Sequence, residues 1–282
     1  MEHYKLTRYL YNMVEVKQSL LIALLNKNID ESLFWAFELY YSGFHLECIP
    51  YLNNIFEKIY QTSNENLTPF IEKITTRWDE DTVEIDLPLL IGSYICTLCI
   101  HPYNLIPFVS ECLKAKCDKL IIEPSSSNLI VQFQEKDLEP YKTIISDNPT
   151  KVLSQACRFA LHKNVNELFE IILPQQEYMV DIFNIEWMYY AYRSPIWKTR
   201  IDKYGGVPND EEKTIDFPND DLYEGFAEKW YYDPDEQDDD IKNKLIGVAS
   251  NQSNITEFCK LYNVQMKTKT RTRTKTKTKT KS

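Results

Sequence analysis

The chain has 282 residues, 43% of them hydrophobic, and carries 32 Lys/Arg against 42 Asp/Glu, a formal charge of −10. That suffices for a sizeable core in one or two domains, while the six glycines form neither GxGxxG nor GxxxxGK(S/T), which excludes a Rossmann or P-loop nucleotide site by motif. The charge is uneven: residues 267–282 hold eight Lys/Arg and no acid, residues 1–266 sum to −18, and 209–240 hold fourteen Asp/Glu against two Lys, so the body is not a generic DNA-coating surface.

In chain order, the first two-thirds reads as helix, turn, helix. Residues 17–27 carry "LLIALL". In "DESLFWAFELYYSG", Asp30 is the expected N-cap, Leu33, Phe37, Tyr40 and Tyr41 share a face, and Gly43 suits a C′ stop. Pro50 is expected in the first turn of the next helix, with Leu52, Ile55, Phe56 and Ile59 on its inner stripe. Thr68-Pro69 opens another by the same logic. Leu87 to Ser110 has no formally charged residue and is long enough to span a bilayer. His101, Pro102 and Asn104 at its centre predict instead two buried helices, split at Pro102 and with Asn104 as the second cap.

"KLIIEPSSSNLIVQF" places two short apolar runs around a Pro-Ser-Ser-Ser-Asn turn, which predicts a small β-hairpin near 119–134. Helical patterning resumes over 150–162, 164–173 and 176–192. Beyond Ser194 the chain is rich in acid, proline and aromatics. Phe217, Tyr223, Phe226, Trp230, Tyr231 and Tyr232 predict packing rather than plain disorder there. A last short helix is expected at 253–262. The fold class is mainly α: an irregular helical bundle or solenoid-like array with one small β-hairpin, without a fixed-period repeat. Its expected divisions are a helical body over 1–200, an acidic, aromatic-containing segment over 201–266, and a disordered Lys/Arg-Thr tail over 267–282.

Seven cysteines, mostly inside apolar runs, and an N-terminus without a signal-peptide apolar region point to free thiols in an intracellular, reducing compartment. The sequons at Asn66, Asn251 and Asn254 are then chance matches. Cys96-x2-Cys99 followed by Cys112-x4-Cys117 has zinc-like spacing. Cys96 and Cys99, however, lie in "IGSYICTLCIHPY", where small core thiols on a helix face are the favoured reading. "DPDEQDDD" fails as an EF-hand, because its sixth and twelfth positions are Asp238 and Lys244; a solvated acidic face is favoured. "PDEQDDDIK" contains the letters of a metal-dependent nuclease signature at too short a spacing and without strands. His3, His45, His101 and His162 are dispersed, with no GxSxG or HExxH. No cofactor is implied.

The tail has a concrete physical case. Alternate residues of an extended chain lie about 7 Å apart on one side, close to the spacing of phosphates along a strand. Lys267, Lys269, Arg271, Arg273, Lys275, Lys277, Lys279 and Lys281 could therefore track a nucleic-acid backbone without reading bases. Growth of a tolerated two-residue repeat, or pairing with the acidic 209–240, competes with that reading.

Two stretches, "LTRYLYNMVEVKQSLLIALLNKNIDESLFWAFELYYSGF" and "SPIWKTRIDKYGG…YDPDEQ", resemble an uncharacterised protein family of nucleocytoplasmic large DNA viruses of the mimivirus kind, over most of residues 1–240. The resemblance brings no catalytic residues, and the basic tail is no part of it. "IDESLFWAFELYYSGFHLECIPYLNNIF" is similar to the helical lid and collar of clamp-loader-type ATPases, contains no ATP site, and implies a helical assembly surface. The expectation is therefore a non-catalytic interaction or structural protein of a large DNA virus, in infected-cell cytoplasm or the virion, with protein partners and no membrane. The alternative is an accessory protein that holds nucleic acid nonspecifically through its tail. A metal-dependent enzyme is the third class.

Overall fold

In the computed structural model, which describes residues 4–79, 87–113, 127–162, 176–246 and 254–264, helices pack irregularly around one apolar core. Asn12 starts helix α1 (Met13–Leu25), its side-chain oxygen accepting the N–H groups of Val14 at 2.9 Å and Glu15 at 3.3 Å. Apolar on nearly every side, α1 is buried almost throughout, as a central helix must be. Lys27 takes a left-handed turn at φ 56°, and Asn28, rather than the expected Asp30, caps α2 (Ile29–Leu39). Asn28 Oδ1 accepts Glu31 N–H at 3.3 Å, and its amide donates to Glu31 Oε2 at 3.0 Å, a reciprocal pairing that places the cap two residues earlier. Asp30, freed from capping, accepts the Tyr141 hydroxyl at 2.8 Å.

α2 ends in a wide turn, Tyr40–Phe44, where Gly43 has φ 87°. A Cβ there would lie 2.5 Å from Pro195 Cβ, so this stop also admits a later helix. α3 (His45–Ile55) begins five residues before Pro50, which therefore stands in its second turn and not its first. The carbonyl that Pro50 cannot bond belongs to Leu46, and both residues are on the exposed face. α4 (Thr68–Asp79) opens at Thr68-Pro69 as expected and buries Ile71, Ile74 and Trp78.

The uncharged stretch splits into α5 (Leu87–Ile100) and α6 (Ile106–Leu113), with Asn104 Oδ1 accepting Ile106 N–H at 3.0 Å. Among the described residues, no helix is long and apolar enough to cross a membrane. Of the hairpin expected near 119–134, the first run lies outside the described residues, and the second, Leu129–Phe133, joins no sheet among the described residues. Side chains of α5 bond its backbone, as detailed below.

Short helices α7 (Glu135–Leu138) and α8 (Val152–Ala156) follow. The helix expected over 150–162 stops early because the chain turns out of helical geometry at Cys157 (φ −80°, ψ 76°) and bends at Phe159, so that 157–162 crosses the body as irregular chain. There Leu161 N–H donates to Lys244 O at 3.2 Å and His162 N–H to Ser19 Oγ at 3.0 Å. The helix expected at 164–173 lies outside the described residues. The third helical run divides into α9 (Gln176–Asn184) and α10 (Trp187–Ala191), before α11 (Pro195–Asp202).

The small hairpin of the fold is β1 (Val207–Asn209) against β2 (Thr214–Asp216), antiparallel with Pro208 opposite Ile215. Its turn is an Asn-led one: Asn209 Oδ1 accepts the N–H groups of Glu211 and Glu212, at 3.1 and 3.2 Å. α12 (Asp220–Trp230), α13 (Asp239–Ile246) and α14 (Ile255–Leu261) complete the described elements. Aromatics fix this acidic part to the body. Trp187 meets Trp197 at 5.3 Å, Trp197 meets Tyr232 at 5.1 Å, and the buried Arg200 lies 4.0 Å from the Trp230 ring centre.

Candidate functional site

The site is built on one stripe of α5. Ser93, Thr97 and His101 follow at four-residue intervals and so share a side of the helix and of the turn that ends it, about 6 Å apart along the axis. Alternate residues of an extended chain repeat at about 6.8 Å. The two spacings match closely enough for the helix to hold a strand by its backbone. Ser93 Oγ accepts Phe133 N–H at 3.0 Å, Thr97 Oγ1 accepts Val131 N–H at 3.1 Å, and His101 Nε2 bonds Leu129 O at 2.8 Å. His101 Nδ1 faces Asn64 Oδ1 at 3.2 Å. A neutral imidazole donates to one of these two oxygens; a protonated one donates to both.

Gly92 completes the seat. Its absent side chain leaves room for the Phe133 ring, which a Cβ would meet at 2.3 Å. That ring also packs against Phe37, at 5.8 Å between centres. A glycine inside a helix costs about 1 kcal/mol relative to alanine, and burying Phe133 offsets it.

With one edge of Leu129–Phe133 held by α5, the backbone N–H and C=O groups of Ile130 and Gln132 make no hydrogen bond among the described residues. Leu129 and Ile130 are 62% and 42% exposed. Beside them opens a groove of about 720 Å³ between α4, α5 and Asn128–Glu135. Its apolar lining includes Leu67, Phe70, Ile74, Leu89 and Leu90. Lys73 and Arg77, one turn apart on α4, supply two cations, and Glu135 lies at the other wall. Among the described residues, neither histidine nor cysteine lines the groove, whose donors, cations and apolar floor suit binding.

Of the residues singled out from sequence, Cys96, Cys99 and Cys112 do not line this groove. Cys96 and Cys99 are buried in α5, and burial pushes both thiols up to about 11, away from the thiolate a metal requires. The Cys99 thiol donates to Ser32 Oγ at 3.6 Å. Cys112 is half-buried in α6, while Cys117 lies outside the described residues. Among the described residues, no group of three or more His, Cys, Asp or Glu is placed to hold a metal ion. Lys267, Lys269, Arg271, Arg273, Lys275, Lys277, Lys279 and Lys281 also lie outside the described residues.

Sequence reasoning missed the Ser93–Thr97–His101 stripe. Its signal is present: three hydrogen-bonding residues recur every fourth position through an otherwise apolar run. Comparison with protein-family models, curated proteins and solved structures finds no match.

Proposed function

We propose that this chain is a non-catalytic interaction protein whose docking surface is the groove between α4, α5 and Asn128–Glu135. With the large-DNA-virus resemblance, its setting is infected-cell cytoplasm or the virion, under reducing conditions. The observation that carries the reading is the apolar groove beside the exposed Leu129 and Ile130, next to backbone groups of Ile130 and Gln132 that find no hydrogen bond among the described residues. Monomeric proteins rarely expose a contiguous apolar patch without a use for it.

The test is affinity capture from infected cells with full-length protein and with Lys73→Glu/Ile130→Asp, two exposed positions. The variant should keep its melting temperature and lose specific partners that the parent retains. An identical partner set would overturn the assignment to this groove.

A second reading is favoured by the alternating cations of residues 267–282: nonspecific contact of the tail with phosphate backbones.

A further inference from the structure

We infer that Arg200 anchors a second binding site, where α11, the end of α12 and the turn around Tyr9 meet, and that this site takes a monocarboxylate with a compact apolar body. It is separate from the groove and does not rest on the groove being a docking surface.

Arg200 is 6% exposed, and a guanidinium keeps its proton at any physiological pH. Buried charges are ordinarily paired, because an unpaired one loses its hydration without replacement. Arg8 follows that rule: its Nε meets the Glu38 carboxylate at 2.8 Å, and its other two nitrogens reach Tyr141 O and Thr143 Oγ1. Arg200 departs from it. Its Nη1 donates to the Tyr232 hydroxyl at 3.3 Å, and no acid pairs with it among the described residues. The rings of Trp197 and Trp230, 4.6 and 4.0 Å from its Cζ, attract the charge but offer no acceptor in the guanidinium plane. The stretches that carry these groups, 4–13, 144–152 and 195–233, are described without a gap.

The free donors match a carboxylate. Nε and Nη2 form the side-on fork that meets a carboxylate with two parallel bonds, and neither is sealed from solvent. Arg200 acts electrostatically on the hydroxyls of Tyr9 and Tyr232. Each accepts a bond, Tyr9 from Ile144 N–H at 2.9 Å and Tyr232 from Arg200, and neither donates one among the described residues. Burial raises both phenols, Tyr9 to about 12, so both keep their protons. Donors without acceptors thus accompany a charge without a counter-ion. A carboxylate supplies one negative charge and about four lone-pair sites.

Trp230 and Tyr232 also line a hollow of about 400 Å³, together with Ile144, Ile145 and Val152, which gives the body of the acid apolar walls beside the charge. Asp147, Glu228 and Lys229 stand on the same hollow, all exposed, with a net negative charge. Solvent screens them from a single anion held at the buried guanidinium. A phosphate dianion or a dicarboxylate would leave a second charge that Arg200 cannot neutralise, beside two acids. Two sources share the favoured chemistry: a free apolar acid, and the C-terminal carboxylate of a protein chain that ends in an apolar residue.

The experiment is calorimetric titration of full-length protein with 3-phenylpropionate, with its uncharged amide, and with a pentapeptide ending in Val-Leu whose C-terminus is free or amidated. At least one free carboxylate should bind saturably, and its amide about tenfold more weakly or less. Binding of 3-phenylpropionate assigns a free acid; binding of the free-ended peptide alone assigns a chain terminus. Arg200→Met keeps the stem without the charge, so it should melt no lower than the parent and lose the binding. Ile145→Asp, at a position 85% exposed, should fold normally and weaken binding severalfold by adding an anion to the hollow. Equal binding of acid and amide, or no binding of either free carboxylate, overturns the inference. Binding that persists in Arg200→Met places the acid elsewhere, as on the basic run 267–282, and overturns it too. If Arg200→Met does not fold, an affinity unchanged by Ile145→Asp has the same meaning.

Discussion

Glu38 and Glu15 are both buried carboxylates, yet only Glu38 finds donors. Its Oε2 pairs with Arg8 Nε at 2.8 Å and its Oε1 accepts Tyr9 N–H at 3.1 Å. Arg8 in turn donates to Tyr141 O at 2.9 Å and Thr143 Oγ1 at 3.0 Å, between the rings of Tyr9 and Tyr41. A buried pair so fully bonded fixes geometry, and removing one member costs about 3–5 kcal/mol. Glu15 is 6% exposed, and its Oε2 has no partner; the amide of Gln18, one turn on, has none either. Burial therefore raises the Glu15 carboxyl from 4.5 to about 8. The unfolded chain ionises this group first. The contribution of protonated Glu15 is complete below about pH 4.5, declines as pH rises toward 8, and is gone above that. Glu15→Gln should flatten that decline by about 1 kcal/mol per pH unit. Urea melts of both proteins at pH 5, 6.5 and 8 check it. Parallel stability profiles would show that Glu15 does not titrate in this range.

Among the elements, α5 combines two roles that ordinarily exclude one another. It is buried on nearly every side, and it carries a polar stripe that serves as a strand's partner. Gly92 is the hinge between them. Gly92→Ala should raise helix propensity yet displace Phe133, releasing the Leu129–Phe133 segment from Ser93 and Thr97. The expected net loss is about 2 kcal/mol or more, with faster amide exchange at Val131 and Phe133 than in the parent. Unchanged exchange at those two amides would show that the ring finds another seat.

The helices were legible in sequence wherever a periodic apolar face met a cap or proline, as at Thr68-Pro69 and at the split around Pro102. The hairpin expected near 119–134 can be followed only in its second run. "NLIVQF" has the composition of a strand, but composition does not reveal that helix side chains accept the N–H groups of Val131 and Phe133. The hairpin at 207–216 was hidden because Val207–Asn209 and Thr214–Asp216 contribute few apolar residues and one strand contains Pro208. The groove was less legible still, since its walls come from three separated stretches.

On the scale of the whole molecule, charge and packing divide the labour. The core is dense with aromatics, and the surface of α12 and α13 is acidic, with Asp220, Asp221, Asp239 and Asp240 exposed. A basic run of eight cations follows in sequence at 267–282. If that run contacts duplex DNA with all its charges, the log–log salt slope should be about −7. Removing residues 267–282 should then abolish binding while leaving thermal stability unchanged. Anisotropy across a salt series, with full-length and shortened protein, reads both effects. Equal binding by the two proteins would exclude the tail.

Leu6 and Asn12 pair in an isolated antiparallel bridge that closes a turn. Its partners come from distant positions: Tyr9 receives Ile144 N–H at 2.9 Å, Tyr11 donates to Phe159 O at 2.7 Å, and Trp197 donates to Thr7 O at 2.9 Å. During synthesis the ribosome releases Leu6, Tyr9, Leu10 and Tyr11 long before those partners exist. At about 5–20 residues per second, the wait for Trp197 lasts on the order of ten seconds or more. Phe34 and Trp35, which pack on Tyr11 at 6.0 and 5.0 Å, are made early in that interval, whereas the bonds from Phe159 and Trp197 come only later, so this turn is completed late in synthesis.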